Sequence, residues 1–144
     1  MAYACPVVPQ TNVVCAYASA TGGAVSATAD AVVTAIVDLR SAPLWCVSTT
    51  LNTVLTADGG TGKAEYAAAI YADGTQESGD QVGHQQVSTV HDGDVGSISV
   101  TGVTTLRRGI HALAGYASGA AGSGATSDLY LSVQAIPSYA PGAF

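Results

Sequence analysis

The sequence predicts an all-β domain, either a sandwich or a barrel, and three observations carry that expectation. Runs rich in β-branched residues recur at a spacing of roughly 8 to 15 residues, as in sandwiches and barrels. Turn signals part them, most plainly Asp58-Gly59-Gly60, Asp73-Gly74 and Asp92-Gly93. No segment keeps a helical period, and no repeat of the ~20–50 residues typical of solenoids is present. The 144 residues suit one domain able to bury about two-thirds of its unfolded surface.

Taken in order, residues 1–30 read as an extended N-terminal arm. Pro6 and Pro9 each remove a ladder donor, and Ser19 to Thr28 is almost entirely Ala, Gly, Ser and Thr. Ala24 to Leu39 mixes helix formers with Val25, Val32, Val33, Ile36 and Val37. The β-branched residues favour a strand over Val32 to Arg40, with a helix as the rival. Leu44 to Thr56 reads as a strand, with Trp45 inside it and Cys46 expected as a buried, inert thiol. Lys63 to Ala72 places Ala64, Tyr66, Ala68 and Ile70 on one face and lies between two turns. Gln81 to Val90 follows, then Gly96 to Leu106 with Ile98, Val100, Gly102 and Thr104 aligned. Ile110 to Ser118 alternates strictly, Ala112, Ala114 and Tyr116 against His111, Leu113 and Gly115. After the loop Gly119 to Gly124, Leu129 to Ile136 is the closing strand, which Pro137 stops. The sandwich is thus expected over 31–137, with 138–144 as a tail.

Composition narrows the function. Charged residues are 10% of the chain, against about a quarter in ordinary globular proteins, and the formal net charge is −6. Four basic residues argue against a nucleic-acid partner, since phosphate binding depends on Lys and Arg. No membrane partner is expected either: Ala24 to Leu39 is broken by Ser26, Thr28, Asp30, Thr34 and Asp38. MAYACPVVPQ lacks the basic and apolar regions of a signal peptide. Cys5, Cys15 and Cys46 form an odd set without a C-x-x-C pair. They read as reduced thiols made in a cytosol, with a Cys5–Cys15 pair left open. About half of the residues are Ala, Gly, Ser or Thr. A core built from them is thin, and oligomerisation is the expected remedy.

The candidates for chemistry have plain structural explanations. His111 is expected to hydrogen-bond a turn carbonyl at the start of its strand, since no nucleophile is placed to complete a triad. His91-Asp92-Gly93-Asp94 reads as a turn, short of the roughly six oxygens a Ca²⁺ loop supplies. His84 and His91 fall on opposite faces of one strand unless a bulge intervenes. Gly59-Gly60-Thr61-Gly62-Lys63 lacks phosphate-loop spacing. Arg107-Arg108, the basic pair, meets an acidic partner or is a solvated corner. No cofactor, no metal and no enzymatic activity are expected.

The run GSISVTGVTTLRRGIHALAGYASGAAGSGATSDLYLSVQAI resembles the last strands of jelly-roll domains in tailed-phage virion proteins. The likeness lies in the corner Leu106-Arg107-Arg108-Gly109-Ile110-His111 and the closing Leu129-Tyr130-Leu131-Ser132-Val133, and it extends over roughly residues 32–137. It implies a jelly-roll-like antiparallel β-sandwich, most like a capsid decoration protein, that binds the major capsid protein lattice on the capsid surface as a homotrimer. The N-terminal arm has no counterpart in that family. Its residues Val7, Val8, Val13, Val14 and Tyr17 are expected to contact the partner by adding a strand edge or filling a groove, with Arg107 and Arg108 as further contacts. The alternative role is a receptor- or carbohydrate-binding head of a phage fibre or tail, for which Tyr116, Tyr130 and Tyr139 are available.

Overall fold

A computed structural model describes residues 13–26, 28–57, 63–75, 78–91, 94–119 and 125–138. They form eight strands: β1 (Val14–Val25), β2 (Ala31–Asp38), β3 (Leu44–Ala57), β4 (Lys63–Ala72), β5 (Asp80–His91), β6 (Val95–Arg107), β7 (Ile110–Ser118) and β8 (Ala125–Pro137). One sheet has the order β1-β8-β3-β6 and the other β2-β7-β4-β5, with every described pairing antiparallel. Apart from the β4–β5 hairpin, successive strands pass from sheet to sheet, in the jelly-roll order expected from the resemblance. The ambiguous stretch after Ala24 is strand, not helix. In β2 buried and exposed residues alternate without a break, and that period suits only an extended chain.

The expected arm needs correction: Val14–Val25 is a strand of the sandwich, so the domain reaches back at least to 14 and does not start at 31. Its small residues do not disqualify it, because an edge strand needs a register partner more than side-chain volume. β8 supplies both the ladder and the bulk. Ala16, Ala18 and Ala20 of β1 pack partly buried against the core, to which β8 contributes Leu129, Leu131 and Val133. Residues 1–12 and 139–144 lie outside the described residues.

The core lies between the sheets, with Trp45, Tyr66, Leu39, Leu51, Leu55, Ile70, Leu113, Leu129 and Leu131 fully buried. Small residues bring the sheets together at defined points. Gly115 on β7 faces Leu51 on β3 so closely that an added Cβ would lie 2.6 Å from a Leu51 methyl. The Trp45 indole N–H donates to the carbonyls of Leu39 (2.9 Å) and Ala42 (3.1 Å), tying the β2–β3 turn to the core. Thr49 and Thr53, buried on β3, donate to the Gly102 and Ile98 carbonyls of β6, each at 3.3 Å. The expectation of a buried Cys46 is overturned: with Trp45 inside, the two-residue strand period turns Cys46 outward, and it is exposed.

At one margin β5 closes against β6. Opposite Ala69 of β4, β5 carries extra residues between Val82 and Gln86, and Gly83 there adopts φ +75°. A Cβ on Gly83 would lie 2.5 Å from the Thr101 carbonyl oxygen, and one on Gly102 would lie 2.7 Å from the Gly83 nitrogen. Two glycines thus let the backbones approach and seal the seam.

Candidate functional site

Three turns converge at one end of the sandwich. Leu39 after β2 and Gly109 before β7 exchange backbone hydrogen bonds of 2.8 and 3.4 Å, and Arg108 N–H donates to the Pro43 carbonyl at 3.0 Å. From the β4–β5 turn comes Asp73, whose φ of 55° is one that Asp tolerates. Asp73 exchanges backbone and side-chain bonds with Ala112: its N–H donates to the Ala112 carbonyl at 2.8 Å, and its Oδ1 accepts from the Ala112 N–H at 3.0 Å.

His111 locks this end. Its Nδ1 lies 2.5 Å from Asp73 Oδ2, and its Nε2 lies 2.7 Å from the Arg107 carbonyl oxygen. The turn-carbonyl bond is the one expected from the sequence. The carboxylate arrives from 38 residues away in the chain, and no local motif announces it. Both partners are acceptors, so both ring nitrogens are satisfied only in the protonated imidazolium. Partial burial pushes the imidazole pKa down, but the bonds to Asp73 and Arg107 and the Asp73 charge outweigh it, leaving the pKa above its ordinary 6.5. A pKa raised on folding stabilises the fold below the unfolded value, and that stability is lost as pH rises through the folded one. The expected result is a melting temperature that declines as pH rises above about 6.5, with His111→Gln flattening the decline. A wild-type profile flat across that range would refute it.

The basic residues Arg40, Arg107 and Arg108 share this end. Arg40 is held by Asp38 through two side-chain bonds of 2.7 and 2.8 Å. Those bonds, a backbone bond from the Arg40 N–H and the guanidinium charge keep the exposed Asp38 carboxyl down at about 2. Arg107 and Arg108 are both exposed at the β6–β7 corner.

Of the other sequence-predicted contact residues, Val7 and Val8 lie outside the described residues. Val13 and Val14 are half-buried at the start of β1. Tyr17 is 65% exposed on the outer face of β1-β8-β3-β6. Register places Tyr17 level with Ser132, Thr50 and Thr101, whereas Arg107 lies six residues farther along β6. At ~3.3 Å per residue that is about 20 Å, so Tyr17 and the arginine pair form two separate patches.

Sequence reasoning missed the outer surfaces. Tyr17, Val103 and Ile136 are exposed on one sheet, and Val32, Ile36, Val87 and Ile110 on the other. Among the described residues the charged side chains lie toward strand ends and turns, Glu65 beside Val87 and Asp128 on β8 reaching farthest in, so charge is sparse over the middle of each face. Cys15 borders an open hollow of about 470 Å³ floored by Tyr17, Ser48, Thr50, Ser132 and Gln134. The period-two rule applied to Trp45-Cys46 would have found the exposed Cys46. The bulge that would free His84 and His91 from opposite faces does exist. Even so, among the described residues no three His, Cys, Asp or Glu side chains gather as metal ligands.

No family model matches this chain, and no curated protein matches it in sequence. Its fold is similar to several solved structures. The infectious bursal disease virus VP2 subviral particle aligns over 97% of this chain and 38% of that one, at 15% identity and a TM-score of 0.43. The tripod from the baseplate of bacteriophage Tuc2009 aligns over 86% of this chain and 48% of its own, at 17% identity and a TM-score of 0.36. A protein of the Bacillus endospore appendages, described as disulfide-linked pili, aligns over 96% of this chain and all of that one, at 18% identity and a TM-score of 0.32. This chain therefore spans 38% and 48% of the viral and phage chains named here. At these TM-scores the likenesses transfer no role.

Proposed function

We propose that this chain is a structural virion subunit, a jelly-roll decoration protein that binds the major capsid lattice of a phage as a homotrimer. One observation carries the proposal: among the described residues, both sheets present outer faces with exposed large apolar side chains and little charge toward their centres. Interface cores are depleted of charge in the same way, because a charge buried without a partner is costly. A surface of this kind suits protein rather than a charged small ligand. Tyr17 on one face and Arg107-Arg108 at one end give two separated contact patches, enough to bridge neighbouring lattice subunits.

The test is electron cryo-imaging of particles purified with and without this protein, together with mass photometry of the free chain. Extra density over the capsid lattice and a trimer in solution are expected. Density confined to a tail or fibre would instead favour the receptor- or carbohydrate-binding head.

A second reading is favoured by the outward Cys15 and Cys46. In it the subunit assembles with its own copies into a fibre through this face.

A further inference from the structure

We infer that the free edge of β2 is a docking site for an extended segment of the major capsid subunit, taken up as an added strand of the β2-β7-β4-β5 sheet. The inference rests on the lattice reading and names the contact that carries it.

Four strands stand at sheet margins, β1 and β6 in one sheet and β2 and β5 in the other. Edges are ordinarily blunted by bulges, prolines, charged side chains or a covering element, because their unpaired N–H and C=O groups recruit other strands. β5 and β6 cover each other where Gly83 meets Thr101 and Gly102. β1 is broken by a register shift between Ala20 and Gly23. β2 has none of these devices. It pairs with β7 without a shift, holds no Pro, Gly, Lys or Arg, and carries one charge, Asp38, at its very end. Among the described residues no strand pairs with its other side.

The ladder tells which backbone groups face that side. Leu39 and Gly109 exchange hydrogen bonds of 2.8 and 3.4 Å, and bonded pairs alternate along an antiparallel ladder. Val37 with His111, Ala35 with Leu113 and Val33 with Gly115 are therefore the bonded pairs. Val32, Thr34, Ile36 and Asp38 turn their N–H and C=O groups to the free edge. Ala112, level with Ile36, agrees: its N–H and C=O are bonded to Asp73, away from β2. The same four residues expose their side chains on the outer face of the sheet. A row of donors and acceptors at strand spacing is matched by another strand, not by a small ligand.

An open hollow of about 660 Å³ gives that strand room; it is bordered by Val14 of β1 and by Asp38, Arg40 and Ser41. Across this margin stand Val14, Ala16 and Ala18 of β1, partly buried and none larger than Val. An added strand thus meets apolar side chains on both faces, these within and Val32 and Ile36 without. A second copy of this chain fits the edge poorly. Antiparallel self-pairing centred on Thr34 sets Asp30 of each copy against Asp38 of the other, and like charges placed opposite destabilise a pair. Centring on Ala35 sets the Asp38 carboxylate against Val32 at both ends. The Asp38 end of β2 also adjoins the corner of Arg107 and Arg108, through the bonds between Leu39 and Gly109. One capsid segment can therefore run from that corner along β2. The segment that fits is apolar at alternate positions and bears no acid where it passes Asp38.

The experiment co-sediments the full chain with capsid particles purified without it. Thr34→Pro removes one edge-facing N–H and no bond to β7, which is the position where an edge strand accepts Pro. Ile36→Lys puts on the free edge the kind of charge that blunts edges elsewhere. Each is expected to bind at least about tenfold more weakly, the cost of about one edge hydrogen bond left unmade. Thr89→Lys, exposed on β5 at the covered margin, binds as the wild type does. Melting curves show which variants fold, and Ile36→Lys decides the matter where Thr34→Pro does not. In the free chain the Thr34 and Ile36 amides exchange hydrogen faster than those of Val33, Ala35 and Val37, and exchange across residues 31–38 slows on the particle. Undiminished binding by either folded variant, or unslowed exchange in the bound chain, overturns the inference and leaves the lattice reading standing. A wild-type chain that does not bind the particles overturns both. A dimer of the free chain that Ile36→Lys dissolves assigns the edge to a second copy and overturns the inference.

Discussion

Replacing Trp45 by Ala is expected to destabilise the domain by about 3–5 kcal/mol, the range for truncating a buried aromatic side chain. Trp45 has no exposed surface, and its indole N–H serves both the Leu39 and Ala42 carbonyls. Truncation therefore leaves a cavity between the sheets and two acceptors without a donor. Against a total stability of roughly 5–15 kcal/mol, this is a large share. A domain of this size loses about 2–4 °C of melting temperature per kcal/mol, so a drop of about 10 °C is expected. Circular dichroism melts measure it. Trp45→Phe separates the causes: it retains most of the ring volume and loses only the donor, at an expected cost of about 1–3 kcal/mol. Equal losses for Ala and Phe would show that the donor, not the packing, holds this corner.

Gly83→Ala is expected to cost about 3 kcal/mol, more than its single methyl suggests. The left-handed φ of +75° penalises an L residue by about 1–2 kcal/mol, and the new Cβ overlaps the Thr101 carbonyl across the β5–β6 seam. Gly119 provides the control. Its φ is +78° but nothing lies within 4 Å of an added Cβ, so Gly119→Ala carries the backbone cost alone. Gly102→Ala clashes at the same approach from the β6 side, so its effect combined with Gly83→Ala should fall short of the sum. Urea unfolding gives the four values. Equal costs at Gly83 and Gly119 would mean that the seam yields freely and that the close approach stabilises nothing.

The sequence by itself determined the all-β class, the order of the strands after residue 31, and the inward face of most of them. Tyr66, Ala68 and Ile70 face the core, as do Ile98, Val100 and Leu113, because strand periodicity is local and a two-residue repeat leaves no other choice. The same rule assigned the outward face of Cys46 beside Trp45, and an expectation based on apolar neighbours obscured it. Tertiary structure alone decided the rest. β1 became a strand because β8 offers it a partner edge, a property of another segment that Ala and Gly at positions 16–24 cannot signal. The bond between His111 and Asp73 exists because two turns distant in the chain meet at one end, and composition carries no trace of that meeting. The sparsely charged outer faces and the hollow beside Cys15 are likewise properties of side chains brought level by register across three strands. Local pattern fixes which way a residue points, and only pairing fixes what it points beside.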